Sequence, residues 1–389
     1  MGGTGQELLI SIPNKDIVGV VSDYNQEVMI CNNCKLVYTR NPFNASVLEN
    51  RYASFSKFEF DSEDYIWGVS DEYADRCVRQ KQFIERHIPL EKIKSIFEVG
   101  ASSGFNLGLY TSTMDVYGVE PSKANVANAS KRYNVKLYNG MFDAYYEEVG
   151  LRKKYDLIFL SMTLEHIVNP GAFLKRLSKI NNAYMFIEVP TFDYKFSDEA
   201  YGMFCEEHVN MFTLESLQNI MNLVGYELIA ADMILEIGQT LPAGWPGIDT
   251  LWIKNGNPKT YKSIGNTRER VIEYIADCRK NLARCDKLID KIDDTARLAV
   301  WGTGHHASML YANTCLHKKN IVKVFDSDTK KHGMTMFGHV IEPFNIKVLD
   351  ENEIDVILLA TYTAQNAIMR HVRNVAPNAN VILLYPDGI

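Results

Sequence analysis

The sequence lacks any apolar run long enough to cross a bilayer, so no membrane span is expected. Its start, MGGTGQELL, also lacks the basic-then-apolar pattern of a secretory signal, and Gln6 stands where a myristoylation signal wants Ser or Thr. Cysteine is sparse and odd in number: seven thiols are scattered along 389 residues, which favours reduced thiols in a cytoplasm. Positive charge is in deficit, and a net charge of −7 gives the whole molecule no attraction for nucleic acid or an anionic membrane. Repeats and low-complexity tracts are missing as well. What remains is an ordinary globular composition, 46% hydrophobic and 23% charged, with enough apolar residues for more than one core.

The most informative stretch is SIFEVGASSGFNL at 95–107. An apolar run leads to Glu98, and a tight turn from Gly100 through Ser102 to Gly104 opens a helix. A second apolar run, VYGVEPS, then ends on Glu120. Strand, glycine turn, helix, strand and acid make a nucleoside-binding βαβ unit, in which glycines admit a ligand to the backbone and the acid accepts from ribose hydroxyls. A dinucleotide site wants G-x-G-x-x-G so that a pyrophosphate can rest on the helix N-terminus. The pattern here is E-x-G-x-S-x-G, which resembles motif I of class I S-adenosylmethionine-dependent methyltransferases. That cofactor carries a cationic amino-acid tail in place of phosphates, a chemical reason for an acid at position 98.

From about 95 to 254 strand and helix patterns alternate, as in a doubly wound α/β sheet. The strands are expected at 95–99, 116–120, 135–138, 156–161, 183–189, 226–235 and 249–254, with the last two antiparallel around the loop QTLPAGWPG. Before this unit lies a short-stranded, loop-rich N-terminal module, 1–70, holding Cys31-Asn-Asn-Cys34. The cofactor-binding unit is expected over 71–256, and a polar linker and one long amphipathic helix over 257–296. A second, Rossmann-like α/β domain fills 297–389, with Gly302-Thr-Gly304-His-His-Ala307 as its turn and Asp326 at the end of its second strand. Taken alone, that turn is a dinucleotide fingerprint. It keeps open a second reading, a nicotinamide-dependent oxidoreductase, although no Tyr-x-x-x-Lys pair follows it. A third reading is a binding scaffold in which the CNNC module recruits partners.

Candidate chemistry clusters after the strands. Glu98, Gly100, Ser102 and Gly104 are expected to hold the methionine part of the cofactor, and Glu120 its ribose. Phe142 would flank adenine while Asp143 accepts from its exocyclic amine. In SMTLEHIVNP, Ser161, Met162 and His166 would lie near the transferred methyl. In FCEEHVNMFTLESL, the Glu207-His208 pair precedes a helix capped by Thr213 and Ser216. A carboxylate beside an imidazole orients it and raises its basicity, as a general base requires.

The CxxC-x-L-V-Y-x-x-N-P segment at 31–42, motif I, L-E-H and E-H-x-x-x-F-T-x-x-S-L stand in the same order as in the bacterial deoxysugar C-methyltransferases, which the chain resembles over nearly its whole length. The resemblance implies a class I methyltransferase sheet flanked by a small N-terminal module and a C-terminal Rossmann-like domain serving as substrate platform. It implies S-adenosylmethionine as cofactor, a nucleotide-linked sugar as substrate, and a place in surface polysaccharide biosynthesis. It also implies His208 as base with Glu207 as its acid. The sequence departs from that pattern twice. The family has a tyrosine shortly before the histidine, where this chain has Phe204 and Cys205, with Tyr201 the nearest phenol; this shifts the expected acceptor from carbon to a sugar hydroxyl. The family also carries two CxxC pairs, whereas Cys31 and Cys34 stand alone, and a closed zinc site needs four ligands.

Overall fold

The computed structural model describes residues 5–18, 21–43, 47, 70–194, 200–234, 246–259, 265–347, 354–362 and 364–385. Most of the loop QTLPAGWPG, through residue 245, and most of the segment 44–69 fall outside them. Strands β1 (Gln6–Ile17), β2 (Val21–Cys31) and β3 (Val37–Thr39) open the chain. They are not the short strands expected. β1 and β2 form one long hairpin, in register from Gln6 opposite Cys31 to Ile17 opposite Val21. Alternation explains it: Ile10, Ile12, Val28 and Ile30 are all buried, so an apolar face runs the length of the ribbon.

Helix α1 (Asp71–His87) starts on a Ser70 cap whose side chain accepts from the Tyr73 N–H. It leads into β4 (Ser95–Val99), α2 (Phe105–Gly108), β5 (Asp115–Glu120), α3 (Lys123–Tyr133), β6 (Leu137–Asn139), α4 (Phe142–Glu148), β7 (Tyr155–Ser161), α5 (Pro170–Ile180) and β8 (Asn181–Pro190). After β9 (Asn210–Met211) come α6 (Leu214–Leu223), β10 (Tyr226–Ile234) and β11 (Gly247–Lys254). Among the described residues, seven of these strands form a sheet in the order β10-β11-β8-β7-β4-β5-β6. β11 runs antiparallel to both of its neighbours, and the others are parallel. The chain order reverses between β4 and β7, and ligands of open α/β sheets bind at such a point, beyond the strands' carboxyl ends. Glu98, the 100–104 turn and the loop after Ser161 all lie there.

Helix α7 (Thr267–Asp290) is the long helix expected, with Val271, Ile275, Cys278, Cys285 and Ile289 buried along it. The chain continues through β12 (Leu298–Trp301), α8 (His305–Asn313), β13 (Ile321–Phe325), β14 (Thr335–Met336), β15 (His339–Glu342), β16 (Val356–Leu359), α9 (Gln365–Val375) and β17 (Val381–Leu383). Among the described residues these strands make a second sheet, β14-β15-β13-β12-β16-β17, parallel apart from β14. The N-terminal hairpin joins the units. β3 pairs with β9, Val37 opposite Met211, so the strand just after His208 closes the N-terminal sheet. On its other side β1 meets α8: the Ser308 hydroxyl donates to the Lys15 carbonyl, and the Asn313 amide donates to the Pro13 carbonyl at 2.7 Å. Among the described residues, no helix is long and apolar enough to cross a membrane.

Candidate active site

The first glycine turn is built so tightly that only glycine fits it. Gly100 and Gly104 have φ of +73° and +78°. A Cβ on Gly100 would stand 2.9 Å from Thr163 Oγ1, and one on Gly104 would stand 2.6 Å from the Ala129 Cβ. Between them Ser102 is also left-handed, at φ +47°, and its N–H donates to Glu120 Oε2 at 2.9 Å. Glu120 Oε1 accepts the Ser122 N–H at 2.9 Å, so the acid after β5 braces both the turn and the start of α3.

Glu98 is 2% exposed. Its Oε1 accepts from the Asn106 side-chain amide at 2.9 Å, while Oε2 is buried without a hydrogen-bond partner. Burial pushes the carboxyl up to about 7, against a smaller opposing pull from Asn106. A buried carboxylate oxygen with nothing to accept is expensive, and a cationic donor would satisfy it. This orphaned oxygen and the glycine cradle fit the tail of S-adenosylmethionine.

Helix α1 covers the strand ends. Arg76 and Arg79 both pair with Glu188 at the end of β8, the Arg76 contact measuring 2.7 Å and Glu188 being fully buried. Burial pushes the Glu188 carboxyl up, but the two guanidinium groups outweigh it and hold it below the usual carboxylate range. Ser161 belongs to this network: its hydroxyl donates to Glu188 Oε2 at 2.9 Å and accepts from the Gln80 amide at 2.7 Å and from Arg76. Its side chain is thus engaged in tying α1 to β7 and β8. Sequence reasoning missed Arg76 and Glu188, because no local pattern links residues more than a hundred positions apart. Phe142 and Asp143 are engaged as well. The Phe142 ring packs in the core 5.1 Å from the Phe173 ring, and Asp143 pairs at the surface with Arg176 at 2.9 Å.

The chain leaves β7 through Met162, left-handed at φ +51°, and Thr163, whose hydroxyl donates to the Val99 carbonyl at 3.0 Å beside Gly100. This sets Thr163 against the glycine turn, with Leu164–His166 following it in the chain. The His166 and His208 rings lie edge to face with centroids 5.1 Å apart. The two histidines expected near the reacting centre therefore meet. His208 is 6% exposed, and its N–H donates to the Cys205 carbonyl at 3.0 Å. His166 Nδ1 lies 3.0 Å from the Glu207 carbonyl oxygen, so Glu207 orients His166 through its backbone. The neighbouring Glu206 is the buried acid of the pair, and its Oε2 lies 2.6 Å from His305 Nδ1. Glu165, passed over in the L-E-H motif, is 1% exposed, and burial pushes its carboxyl up to about 7.

The second glycine turn differs. A Cβ on Gly302 would meet the Ala360 carbonyl oxygen at 3.1 Å, so packing against β16 explains that glycine, whereas nothing stands within 4 Å of a Cβ on Gly304. Asp326 is occupied by its own chain: Oδ2 accepts from the Thr303 N–H at 2.9 Å and from Lys331 at 3.0 Å. Burial pushes this carboxyl up, and Lys331 and Thr303 outweigh it, leaving it below its usual value. At the N-terminal module, Cys34 is buried and its thiol is pushed up to about 12, chiefly by burial, with Cys31 adding to the rise. Among the described residues no third His, Cys, Asp or Glu converges on Cys31 and Cys34 with ligand spacing.

Residues 72–231 match the family model described as Methyltransferase domain. This stretch is a methyltransferase domain. No curated protein matches the chain. Solved structures similar to it include magnesium protoporphyrin IX methyltransferase (ChlM) from Synechocystis PCC 6803 with bound SAH, at 10% identity over 54% of this chain and 100% of that one, with a TM-score of 0.40. A SAM-dependent methyltransferase from Archaeoglobus fulgidus aligns at 14% identity over 48% of this chain and 96% of that one, with a TM-score of 0.36. The N-terminal domain of EvdMO1 with SAH bound aligns at 15% identity over 56% of this chain and 98% of that one, with a TM-score of 0.34.

Proposed function

We propose that this methyltransferase methylates a hydroxyl of a nucleotide-linked sugar, giving an O-methyl ether for surface polysaccharide or glycoconjugate synthesis in the cytoplasm. The observation that carries the reading is the Glu206–His305 contact. It ties the loop bearing His208 to the first residue of α8, the helix that follows the second glycine turn. Gly304 leaves the approach to that helix end open, and a helix N-terminus favours a diphosphate. One acceptor can then span both units, its diphosphate on the C-terminal unit, 297–389, and its sugar beside the imidazoles.

S-adenosylmethionine supplies an electrophilic methyl group on a sulfonium. The chain has to hold it, exclude water and take the acceptor's proton. Glu98, Gly100 and Gly104 hold the tail, Ser102 and Glu120 shape the ribose end, and Phe142, Asp143 and Ser161 support the walls around it. His208 accepts the proton, with His166 and Glu207 fixing its surroundings. A hydroxyl is favoured over a carbon acceptor because Tyr201, the nearest phenol, is committed elsewhere. It is 4% exposed and packs against Phe204 and Tyr274 in a separate apolar cluster. The deciding experiment incubates the protein with S-adenosylmethionine and a panel of nucleotide-linked hexoses and heptoses. A mass gain of one methyl, located on oxygen by NMR, is expected. A methyl on carbon, or no product from any of them, overturns the reading.

A further inference from the structure

Two loops distant in sequence bring together three side chains. Glu165 has both carboxylate oxygens buried without a hydrogen-bond partner. Its Oε1 lies 3.8 Å from His166 Nε2, and the His208 ring stands edge-on to that of His166. One ligand atom from each of Glu165, His166 and His208 lies within 4.8 Å of the other two. Among the described residues, this is the one place where three His, Cys, Asp or Glu side chains converge in this way.

We propose that Glu165, His166 and His208 bind a divalent first-row cation of the zinc or manganese type beside the cofactor turn. Three features support it. First, a buried carboxylate lacking any donor is costly, and a cation supplies the missing charge. Second, His166 Nδ1 faces the Glu207 carbonyl at 3.0 Å and donates to it in the neutral ring. That bond fixes the tautomer and leaves the Nε2 lone pair on the Glu165 side, the usual outer-shell support of a ligating histidine. Third, two imidazoles and one carboxylate are the donor set of catalytic zinc sites, which leave a coordination position open for a water or hydroxyl.

The three groups converge without an ion. Bonds of about 2.0–2.2 Å in a tetrahedral arrangement place ligand atoms roughly 3.3–3.6 Å apart, so atoms that lie within 4.8 Å of one another close by about 1 Å through side-chain rotation when the ion binds. Thr163, pinned between Val99 and Gly100, keeps this loop next to the cofactor turn. For its role, though not for its existence, the site rests on the methyl-transfer reading above. A sugar hydroxyl on the cation is more acidic: its oxygen keeps the electron pair of the O–H bond while the proton passes to a hydroxide brought in on the same cation, which leaves as water. His208 is then a ligand, and the cation replaces it as the means of deprotonation.

The test uses the full chain, stripped with a chelator and titrated with Zn²⁺ by calorimetry and with Co²⁺ by visible absorption. One equivalent should bind in the micromolar range, with Co²⁺ d–d bands and without the near-ultraviolet thiolate band that Cys31 and Cys34 would produce. Glu165→Gln and His166→Ala should each weaken uptake roughly 10–100-fold or more, and Glu165→Asp should restore part of it. Circular dichroism and S-adenosylhomocysteine binding report whether each variant is folded. Absence of uptake by the unaltered chain overturns the proposal, as does uptake unchanged in folded Glu165→Gln and His166→Ala, or a spectrum dominated by thiolate. Chelator-insensitive methylation of a nucleotide sugar without metal uptake sinks the cation site alone. Metal uptake with no sugar accepted sinks the substrate reading alone.

Discussion

Glu206 and His305 meet 2.6 Å apart, 2% and 12% exposed, one from the loop that bears His208 and the other from the first turn of α8. Both groups are buried, so removing one member takes from the other a close polar neighbour in a place that water does not reach, which is destabilising. His305→Ala is therefore expected to lower the melting temperature. It should also reduce turnover severalfold, because the loop holding His208 loses its anchor on the C-terminal unit. Affinity for S-adenosylhomocysteine should stay level, since the glycine turn is untouched. Calorimetric melting together with kcat decides this, and a variant that matches the parent in both denies the pair any coupling role.

Replacing either glycine of the first turn should abolish cofactor binding, for different reasons. Gly100→Val drives a side chain into Thr163, and Gly104→Val drives one into Ala129, while both force a branched residue to positive φ. The Gly104 clash falls on the α3 packing and should also cost stability. Full-strength S-adenosylhomocysteine binding by a folded Gly100→Val protein would remove 95–107 from the cofactor site.

The pH dependence of cofactor binding follows from Glu98. Its carboxyl is raised by burial to about 7 in the free protein, so at pH 6 it is mostly protonated. An ammonium group on the ligand favours the carboxylate, so affinity for S-adenosylhomocysteine should climb as pH rises through 7, with a proton released on binding. For the ligand-free fold the sign is opposite. A pKa raised from 4.5 to about 7 contributes stability that is complete below 4.5 and lost as pH rises through 7. Calorimetry in buffers of differing ionisation enthalpy counts the protons, and Glu98→Gln should flatten the profile. Proton-neutral binding at pH 7 contradicts this assignment.

The parts legible in the sequence are those whose cause is local. The acid-glycine turn, the strand pattern from Ser95 to Lys254, the Thr213–Ser216 cap and the long helix after 266 each follow from residues a few positions apart. What was illegible depends on long-range pairing. β9 joins the N-terminal sheet across more than 170 positions, and Arg76 finds Glu188 only once α1 has folded over the strand ends. Glu165 went unremarked for another reason: a charged residue beside a histidine reads as solvated surface, and only the fold reveals that water is excluded from it.

The second glycine turn is expected to fail as a nicotinamide site. Asp326, which would have to accept ribose hydroxyls, is paired with the Lys331 ammonium at 3.0 Å as well as with Thr303, whereas the acid after β5, Glu120, accepts from the backbone N–H groups of Ser102 and Ser122. Titration with NAD and NADP should give no saturable heat below the millimolar range. Micromolar affinity for either would bring the oxidoreductase reading forward and make the methyltransferase domain one of two active units.

His208 separates chemistry from binding. Its ring meets that of His166, and its loop runs into β9, paired with β3, on one side and reaches His305 through Glu206 on the other. His208→Ala should lower kcat roughly 10²–10⁴-fold with little change in S-adenosylhomocysteine affinity, whether the imidazole takes the proton itself or holds a cation that releases it. Metal dependence tells the two apart: a base needs no added ion, whereas a ligand's loss is partly offset by excess Zn²⁺ or Mn²⁺. Glu207→Gln should cost far less than His208→Ala, since its backbone carbonyl makes the contact to His166 and survives the substitution. A full loss of turnover in His166→Ala beside an active His208→Ala would transfer the leading role to the other imidazole.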